Sequence, residues 1–465
     1  MEVFGSSGVR GTVGETITPT FVGQVARAAG SEWFSAGNRT VAIARDTRRT
    51  GEMLADAAAA ELAAVGCNVR RLGVVPTPGA QAYCAREGLP ALMITASHNP
   101  PRYNGVKLIG ADGHELSREA LERIEARLLR SDRDGSGSSV SWDRVGRAER
   151  AEDAERRYVE ELLSAVDRET IAGADLTVAL DPGHGAGSIT SPEFLRELGC
   201  EVVTVNAQPD GRFPGRDPEP VEENLSELGT LVRAAGADVG VAHDGDADRA
   251  VFFDESGRFL DGEAVLAALA AAVLEPGDAT VSAVNVSQRL VDVAGDAGAD
   301  LELTPIGSTY IVTRILELTG EGRRVPVAGE GNGGVLFPPY RPARDGAYTA
   351  ARFLELLADR PASEVVAPYD DYENVRINIP YEEASTRRAM LDAAEAYARE
   401  ADAELTTIDG YRLDYGDAWV LARPSGTEPL VRVYAEARSR ERAAELADRM
   451  RDALESAAET ALADD

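Results

Sequence analysis

Three aspartates alternate along one short stretch of the chain, between two apolar runs. The stretch is VGVAHDGDADRAVFFDE, in which Asp244, Asp246 and Asp248 are separated by single residues. Three carboxylates at this spacing form an oxygen cage for a hard divalent cation, and Arg249 beside them offers a guanidinium to a phosphate. The spacing also resembles a calcium-binding EF-hand, but Arg249 stands where such a loop needs glycine. A solvated acidic turn is the other alternative; the strand-like runs on both sides favour a cation site at a strand end.

A serine in an unusual turn is the second candidate. TASHNPPRYNGVK follows an apolar strand that ends near Thr95, and its Asn-Pro-Pro triplet can continue neither a helix nor a central strand, so we expect Ser97 on an exposed turn. His98 invites a serine-hydrolase interpretation, but there is no GxSxG elbow and adjacent side chains usually point apart. A serine that carries phosphate needs a metal ion and cationic donors instead. His98 and Lys107, the only lysine in the sequence, would supply those donors; chance survival of one surface lysine is the alternative.

Three further loops have the residue types to contact a ligand. In VAGEGNGGVLFP, Glu330 and Asn332 could hydrogen-bond sugar hydroxyls. FGSSGVRG places Arg10 in another glycine-rich turn. Taken singly, each loop is also compatible with an ordinary turn or an exposed arginine. A short turn, ARPSGTEPLVRVY, matches a phosphate cradle of guanidinium, hydroxyls and backbone N–H groups, and its donors are Arg423, Ser425, Gly426 and Thr427.

The elements that must position these loops follow a repeated pattern. TVAIARDTR, LTVALDPGHGAG and ATVSAVNVS each read as a strand, a polar loop, a helix with a glycine stop and another strand, which predicts three related βαβ units with mostly parallel sheets. The final segment predicts an α+β tail domain. In such sheets, ligand groups gather beyond the carboxyl ends of the strands, where the unusual loops lie. The predicted domains are residues 1–145, 146–250, 251–366 and 367–465.

Composition excludes some classes of function. Asp and Glu number 79 against 48 Lys and Arg, a net charge of −31, which opposes nucleic-acid binding. The acid is spread along the chain, so it predicts no disordered tail; either adaptation to high salt or codon bias explains the acidic, lysine-poor surface. The three cysteines lack CxxC spacing and favour buried thiols in a reducing compartment. No apolar run reaches a membrane span, and we expect a cytoplasmic protein.

Together the loops resemble those of the α-D-phosphohexomutase superfamily. The matching motifs are FGSSGVRG, TASHNPPRYNGVK, DGDADR, GEGNGG and RPSGTEP, spread in family order over almost the whole chain. The resemblance implies three related mixed or parallel α/β domains and a C-terminal α+β domain around a central cleft. It also implies an enzyme that interconverts hexose 6-phosphates and 1-phosphates through a phosphoserine and a hexose 1,6-bisphosphate. Basic residues would be concentrated in the cleft to attract the substrate dianion.

The resemblance assigns a role to each loop. Ser97 would carry phosphate, and an oxygen of the phosphoserine would join the three aspartates in holding one Mg²⁺. The Arg423–Thr427 turn would hold the phosphate that does not react, and Glu330 with its neighbours would select the sugar. The partners expected are a hexose phosphate and, as activator, the bisphosphate; the chain would be a monomer or a homodimer. The residues that would line the transfer site are Arg10, His98, Lys107 and Arg249.

Two departures from the family pattern concern the sugar. Many members have serine and histidine where this chain has Asn332 and Gly334, and some have histidine where TPIGSTY presents Ser308. GEGNGG resembles archaeal-type members, and RPSGTEP resembles the phosphoglucosamine type. The sequence therefore favours a phosphoglucosamine mutase, with a phosphoglucomutase/phosphomannomutase of broad specificity as the alternative. A catalytically inactive sugar-phosphate-binding protein and a metal-dependent phosphatase are the other classes considered.

Overall fold

Four β-sheets follow one another along the chain, each covered by its own helices. The computed structural model describes residues 4–5, 8–134, 139–425 and 428–464. The first three sheets mix parallel and antiparallel strands, and the fourth is antiparallel. The predicted fold class is confirmed.

The first sheet has six strands in the order β1-β5-β4-β2-β3-β6. The central strands are buried along almost their whole length, as expected of apolar runs covered by helices on both faces. β6 follows the predicted boundary at 145/146, yet it pairs with β3 and completes this sheet. The elements are β1 Val9–Thr12, α1 Pro19–Ser35, β2 Thr40–Arg45, α2 Gly51–Ala64, β3 Asn68–Val74, α3 Thr77–Glu87, β4 Ala91–Ile94, β5 Tyr103–Ile109, α4 Arg118–Asp134 and β6 Ala148–Arg150.

The second sheet has five strands in the order β11-β10-β9-β7-β8, with β7, β8 and β9 parallel. β10 and β11 follow the predicted boundary at 250/251, yet they pair antiparallel beside β9, because the chain turns straight back after the aspartate loop. The elements are α5 Ala154–Ala165, α6 Arg168–Gly173, β7 Thr177–Asp181, α7 Gly187–Glu197, β8 Glu201–Thr204, a 3₁₀ turn Glu222–Asn224, α8 Ser226–Ala235, β9 Val239–Ala242, β10 Val251–Phe253 and β11 Phe259–Leu260.

The third sheet runs β13-β12-β14-β15-β16, and its last three strands are antiparallel. The second and third domains share one hydrophobic core, in which the rings of Phe252 and Phe353 lie 4.3 Å apart between centroids. The elements are α9 Gly262–Ala271, β12 Ala279–Ala283, α10 Gln288–Ala297, β13 Asp300–Thr304, α11 Ser308–Gly320, β14 Ala328–Glu330, β15 Gly334–Phe337, β16 Arg341–Arg344, α12 Gly346–Leu356, α13 Ala362–Val366 and a 3₁₀ turn Ala367–Tyr369.

The fourth sheet runs β17-β21-β20-β19-β18 and packs against two long helices around its own core. This domain is tied to the third domain by Arg412, whose Nη1 donates to the carbonyl oxygens of Val284 and Val286 at 2.7 and 2.9 Å. The elements are β17 Glu373–Pro380, α14 Ala384–Glu400, β18 Glu404–Thr406, β19 Tyr411–Asp414, β20 Ala418–Pro424, β21 Leu430–Ala437 and α15 Arg440–Asp464.

Candidate active site

Ser97 lies on a tight turn between β4 and β5. Its φ of +49° is in the left-handed region, which costs a residue with a Cβ about 1–2 kcal/mol. The backbone N–H of Ser97 donates to Thr95 Oγ1 at 2.9 Å, which helps to hold this conformation. The predicted exposed turn is wrong in one respect: Ser97 is 0% exposed, because the aspartate loop of the second domain covers it.

The aspartate loop meets the serine turn directly. Ser97 Oγ donates to Asp244 Oδ2 at 2.6 Å. Between Asp244 and Asp246 the loop has Gly245, and a Cβ placed there would lie 2.5 Å from the carbonyl oxygen of Ser97. Only glycine allows the two loops to approach this closely. The two motifs, 147 residues apart in the sequence, therefore form one site.

Asp244, Asp246 and Asp248 are all buried, and one carboxylate oxygen of each lies within 4.8 Å of the others. The Oδ1 atoms of Asp246 and Asp248 are buried without a hydrogen-bond partner among the described residues. Buried carboxylate oxygens are costly to leave unpaired. Three converging carboxylates with two unpaired oxygens fit a hard divalent cation.

The only lysine in the chain neutralises this cluster. Lys107, on β5, is 2% exposed, and its Nζ donates to Asp246 Oδ2 at 2.7 Å and to Asp248 Oδ2 at 2.9 Å. Burial lowers the pKa of Lys107, but the two carboxylates outweigh it, so the net shift is upward and the ammonium stays charged. Lys107 is therefore part of the site and not a surface residue.

The three carboxylates have different proton affinities. Burial, followed by the charges of Asp246 and Asp248, raises the pKa of Asp244 to about 8. Burial would also raise the pKa of Asp246, but Lys107 holds it well below the usual range. For Asp248, burial is again outweighed, here by Arg344, and its pKa is lowered.

His98, Arg10 and Arg249 lie around the same point. His98 Nδ1 lies 3.3 Å from Ser97 Oγ, and burial, together with Arg249 and Arg10, lowers the pKa of this imidazole to about 2. His98 is therefore neutral at physiological pH. Arg10, on β1, donates from Nη1 to Asn99 Oδ1 at 3.3 Å, and the Nε of Arg249 lies 3.9 Å from Asp248 Oδ1.

Several residues of the site were not predicted from the sequence. Arg344, at the end of β16, donates to Asp248 Oδ2 at 2.8 Å, and Thr77, at the first residue of α3, donates its hydroxyl to Asp246. Beneath the serine turn, Asp46 and Arg48 form a buried ion pair at 3.0 Å. These residues all follow or end strands, so a search of every strand end could have found them. Arginine is too frequent in this chain for composition to single out any one of them.

A cleft of about 650 Å³ opens beside the serine turn and is lined by all four domains. Asn332 Oδ1 accepts from the backbone N–H of Gly334 at 3.0 Å. Arg376 on β17 and Arg432 on β21, neither of which was predicted, add guanidinium groups to the tail-domain wall. The predicted residues along the cleft are His98, Arg249, Glu330, Asn332 and Arg423.

Arg423 and Ser425 of the predicted phosphate loop each contact another residue of the tail domain. Arg423 Nη2 lies 3.0 Å from Asp409 Oδ2, and Ser425 Oγ accepts from the backbone N–H of Glu428 at 3.2 Å. Gly426 and Thr427 lie outside the described residues.

Ser308 was expected in the sugar site. It is instead 2% exposed, and its hydroxyl donates to Glu115 Oε2 of the first domain at 2.8 Å. This hydrogen bond links the first and third domains, and the buried Ser308 is not among the residues that line the cleft.

Family models match the chain in four consecutive parts. They are described as domains I, II and III, each α/β/α, and the C-terminal domain of phosphoglucomutase/phosphomannomutase, and they match residues 1–134, 156–257, 261–372 and 377–453. The chain belongs to the phosphoglucomutase/phosphomannomutase family. The predicted superfamily is thereby confirmed, and with it the expectation of an enzyme of this class.

Relatives in this family cover nearly the whole chain. A phosphoglucomutase/phosphomannomutase of Thermococcus kodakarensis is 40% identical over 453 residues, which are 96% of each chain. A probable phosphoglucosamine mutase of Methanopyrus kandleri is 41% identical over 454 residues, 97% of each chain. The crystal structure of a phosphoglucomutase/phosphomannomutase family protein from Burkholderia thailandensis has a TM-score of 0.84 at 28% identity, covering 98% of this chain and 97% of that one. In the part of the present chain that the structure describes, no helix is long and apolar enough to cross a membrane.

Proposed function

We propose that the chain is a phosphohexomutase in which Ser97 carries the phosphoryl group that is exchanged with a hexose phosphate. The contact between the serine turn and the aspartate loop carries the proposal. Ser97 Oγ lies 2.6 Å from Asp244 Oδ2, and Lys107 spans the other two carboxylates. A hydroxyl, a cation site and a buried ammonium thus converge beside the cleft, which is the arrangement that phosphoryl transfer needs.

The reaction has two transfers. In the first, the P–O bond to Ser97 breaks, a new P–O bond forms to the free hydroxyl of a bound hexose 6-phosphate or 1-phosphate, and the hydroxyl proton passes to Ser97 Oγ. The product is a hexose 1,6-bisphosphate, which reverses its orientation while it remains in the cleft. In the second transfer its other phosphoryl group returns to Ser97, and the isomeric hexose phosphate is released. Positioning and charge neutralisation do most of the work.

We assign one Mg²⁺ to Asp244, Asp246 and Asp248, together with an oxygen of phosphorylated Ser97. When bound, this ion supplies positive charge against the transferring phosphoryl group. Lys107, Arg10 and Arg249 add fixed positive charge around it, and neutral His98 can donate one hydrogen bond. The side chains of Lys107, Arg10, Arg249 and His98 lie around this point without substrate, so little reorganisation of them would accompany the reaction.

The two ends of the substrate are assigned to different domains along the cleft. Arg423 and Ser425 on the tail domain, with Gly426 and Thr427 of the same loop, would hold the phosphate that is not reacting. Glu330 and Asn332, which face the cleft on the third domain, would hydrogen-bond the sugar. We propose a cytoplasmic monomer or homodimer.

Glucosamine phosphate is the preferred sugar in this proposal. Beside Glu330, the third-domain wall carries Asp261 and Glu263, and burial, followed by Asp261 and Glu436, raises the pKa of Glu263 to about 8. An ammonium group on the sugar would relieve this crowding of carboxylates, whereas a hydroxyl would not. A phosphoglucomutase/phosphomannomutase of broad specificity is the second candidate, because a relative 40% identical carries that name.

Turnover of the Ser97→Ala variant tests the proposal. Mutase activity should be lost, whereas Ser164→Ala, an exposed serine of α5, should retain it. Unchanged turnover in Ser97→Ala would exclude the phosphoserine.

Substrate preference is decided by kcat/KM on glucosamine, glucose and mannose phosphates, measured with a trace of each bisphosphate. A preference for glucose or mannose phosphate would favour the second candidate.

A further inference from the structure

A buried ion pair lies directly beneath the serine turn. Asp46 follows β2, and its Oδ2 lies 3.0 Å from Arg48 Nε; both side chains are fully buried. Asp46 also accepts from the backbone N–H of Arg48 at 2.9 Å, so the carboxylate fixes the direction of the guanidinium. The other two nitrogens of Arg48 are thereby aimed at the turn.

The guanidinium of Arg48 holds the turn by its backbone. Each of its terminal nitrogens donates to two carbonyl oxygens, a use of the planar fork that lysine cannot reproduce. No group on a substrate is involved in these contacts. The acceptors are the carbonyl oxygens of Ser97 at 2.8 Å, Asn99 at 2.6 Å, Pro100 at 2.8 Å and Tyr103 at 3.0 Å.

A second path joins the same ion pair to Ser97. Thr95 Oγ1 donates to Asp46 Oδ2 at 2.7 Å and accepts from the backbone N–H of Ser97 at 2.9 Å. Arg48, Asp46 and Thr95 thus bind both the N–H and the C=O of Ser97. They hold this residue in its left-handed conformation, with Oγ directed at Asp244.

The ion pair is also anchored to the second domain. Thr47 Oγ1 donates to the carbonyl oxygen of His184 at 2.9 Å, and Arg48 forms an isolated bridge with Gly211. The guanidinium carbon lies 5.2 Å from the ring centroid of Phe213. Any movement of Arg48 would therefore change the position of the serine turn relative to the domain that carries the aspartates.

We propose that Arg48 is a positioning residue for phosphoryl transfer, which it serves by fixing the backbone of the Ser97 turn against the aspartate loop. The inference rests on the proposed function, since it assumes that Ser97 carries the phosphoryl group. An equivalent pair lies under the aspartate loop: Arg216 Nε lies 2.9 Å from Asp181 Oδ2, and its Nη2 donates to the carbonyl oxygen of His243 at 2.6 Å. Arg48 thus positions the serine, and Arg216 positions the metal ligands.

The two arginines provide a matched pair of variants. Arg48→Lys keeps the charge beside Asp46 but cannot reach four carbonyl oxygens, so kcat should fall about 100-fold, as expected for a reacting group displaced by about 1 Å. The KM for the hexose phosphate should not change, and saturating Mg²⁺ should not restore kcat. Arg216→Lys should instead raise the Mg²⁺ requirement and recover kcat at saturating Mg²⁺. Both are measured in the mutase assay beside the wild-type enzyme.

Thr95→Val is a second variant, needed if Arg48→Lys does not fold. It is close in volume to threonine and leaves no buried charge unpaired, and loss of its hydrogen bond to Ser97 should lower kcat about tenfold, equivalent to roughly 1.4 kcal/mol. A folded Arg48→Lys or Thr95→Val enzyme with wild-type kcat would overturn the inference, as would a fall in kcat matched by a rise in KM. Absence of turnover in the wild-type protein would instead refute the proposed function.

Discussion

Replacing Lys107 with methionine separates two roles of its ammonium, which are to pair with the aspartates and to supply positive charge for phosphoryl transfer. The change keeps an unbranched side chain, one heavy atom shorter, but removes the charge that lies 2.7 and 2.9 Å from two buried carboxylates. Stranding a buried charge costs about 3–5 kcal/mol. At about 2 °C per kcal/mol, we expect the melting temperature in EDTA to fall by roughly 6–10 °C.

The same change should strengthen metal binding. At an effective dielectric constant of ~20, the repulsion between an ammonium and a divalent ion about 5 Å away is on the order of several kcal/mol. Even a fraction of this energy makes Mg²⁺ bind at least ~10-fold more tightly to Lys107→Met. Mg²⁺ should therefore raise the melting temperature of the variant more than that of the wild type, while turnover is lost.

Isothermal titration with Mg²⁺, melting with and without EDTA, and the mutase assay together test this prediction. Lys107→Arg is the control, because it retains the positive charge and should keep the wild-type Mg²⁺ affinity within a few fold. Mg²⁺ affinity that is unchanged or weaker in Lys107→Met would show that Asp246 and Asp248 are not the cation ligands. Retained turnover would show that the ammonium serves only to pair them.

Three further predictions concern the same loops and the surface. Because the pKa of Asp244 is raised to about 8, its contribution to stability is complete below its unfolded pKa of about 4 and is lost as the pH rises to 8. The melting temperature of metal-free Asp244→Asn should therefore depend less on pH over this range than that of the wild type. An unchanged pH dependence would contradict the assignment. Gly245→Ala should lower the free energy of unfolding by about 1–3 kcal/mol and weaken Mg²⁺ binding, because its Cβ would meet the Ser97 carbonyl. Gly295→Ala in α10 is the control, because it has open space around it and should stabilise the protein by about 0.5–1 kcal/mol. Equal effects of the two changes on melting and Mg²⁺ titration would refute the steric argument. If the net charge of −31 reflects salt adaptation, the melting temperature should rise from dilute buffer to molar KCl, and a flat response would favour codon bias.

The parts of the fold that could be predicted are those with continuous apolar strands. β2, β7 and β12 were recognisable because each is a largely apolar run that leads into a polar loop and a helix, and the structure buries all three. The strand-like run after the aspartates is β10, but neither its antiparallel pairing nor the two-residue strand β11 could be predicted, since two or three residues carry no period. Their pairing is set by the return of the chain after Arg249, which only the folded structure shows.

In the site, residue frequency decided what could be found. Lys107 could be predicted because it is the one lysine among the 48 Lys and Arg, and all the others are arginine. Arg48 and Arg344 are also buried and contact the same loops, but apart from their position near strand ends nothing in their local sequence separates them from the other arginines. The contact between Ser308 and Glu115 could not be predicted, because the two residues belong to different domains and are almost 200 residues apart in the chain.

We expected a uniformly basic cleft from the charge of the substrate, but arginines predominate on its tail-domain side and carboxylates on its third-domain side. Arg376, Arg423 and Arg432 lie on strands of the tail domain, and Glu330 and Glu263 lie on the third domain. Glu436 and Arg289 also line the cleft from these two domains, but they pair with each other at 3.3 Å. A hexose phosphate entering this field would be oriented with its phosphate toward the tail domain and its sugar toward the acidic wall. A 1,6-bisphosphate offers a phosphate at each end, so after it turns over the same field would hold it in the reversed orientation. One set of charges thereby serves both transfers.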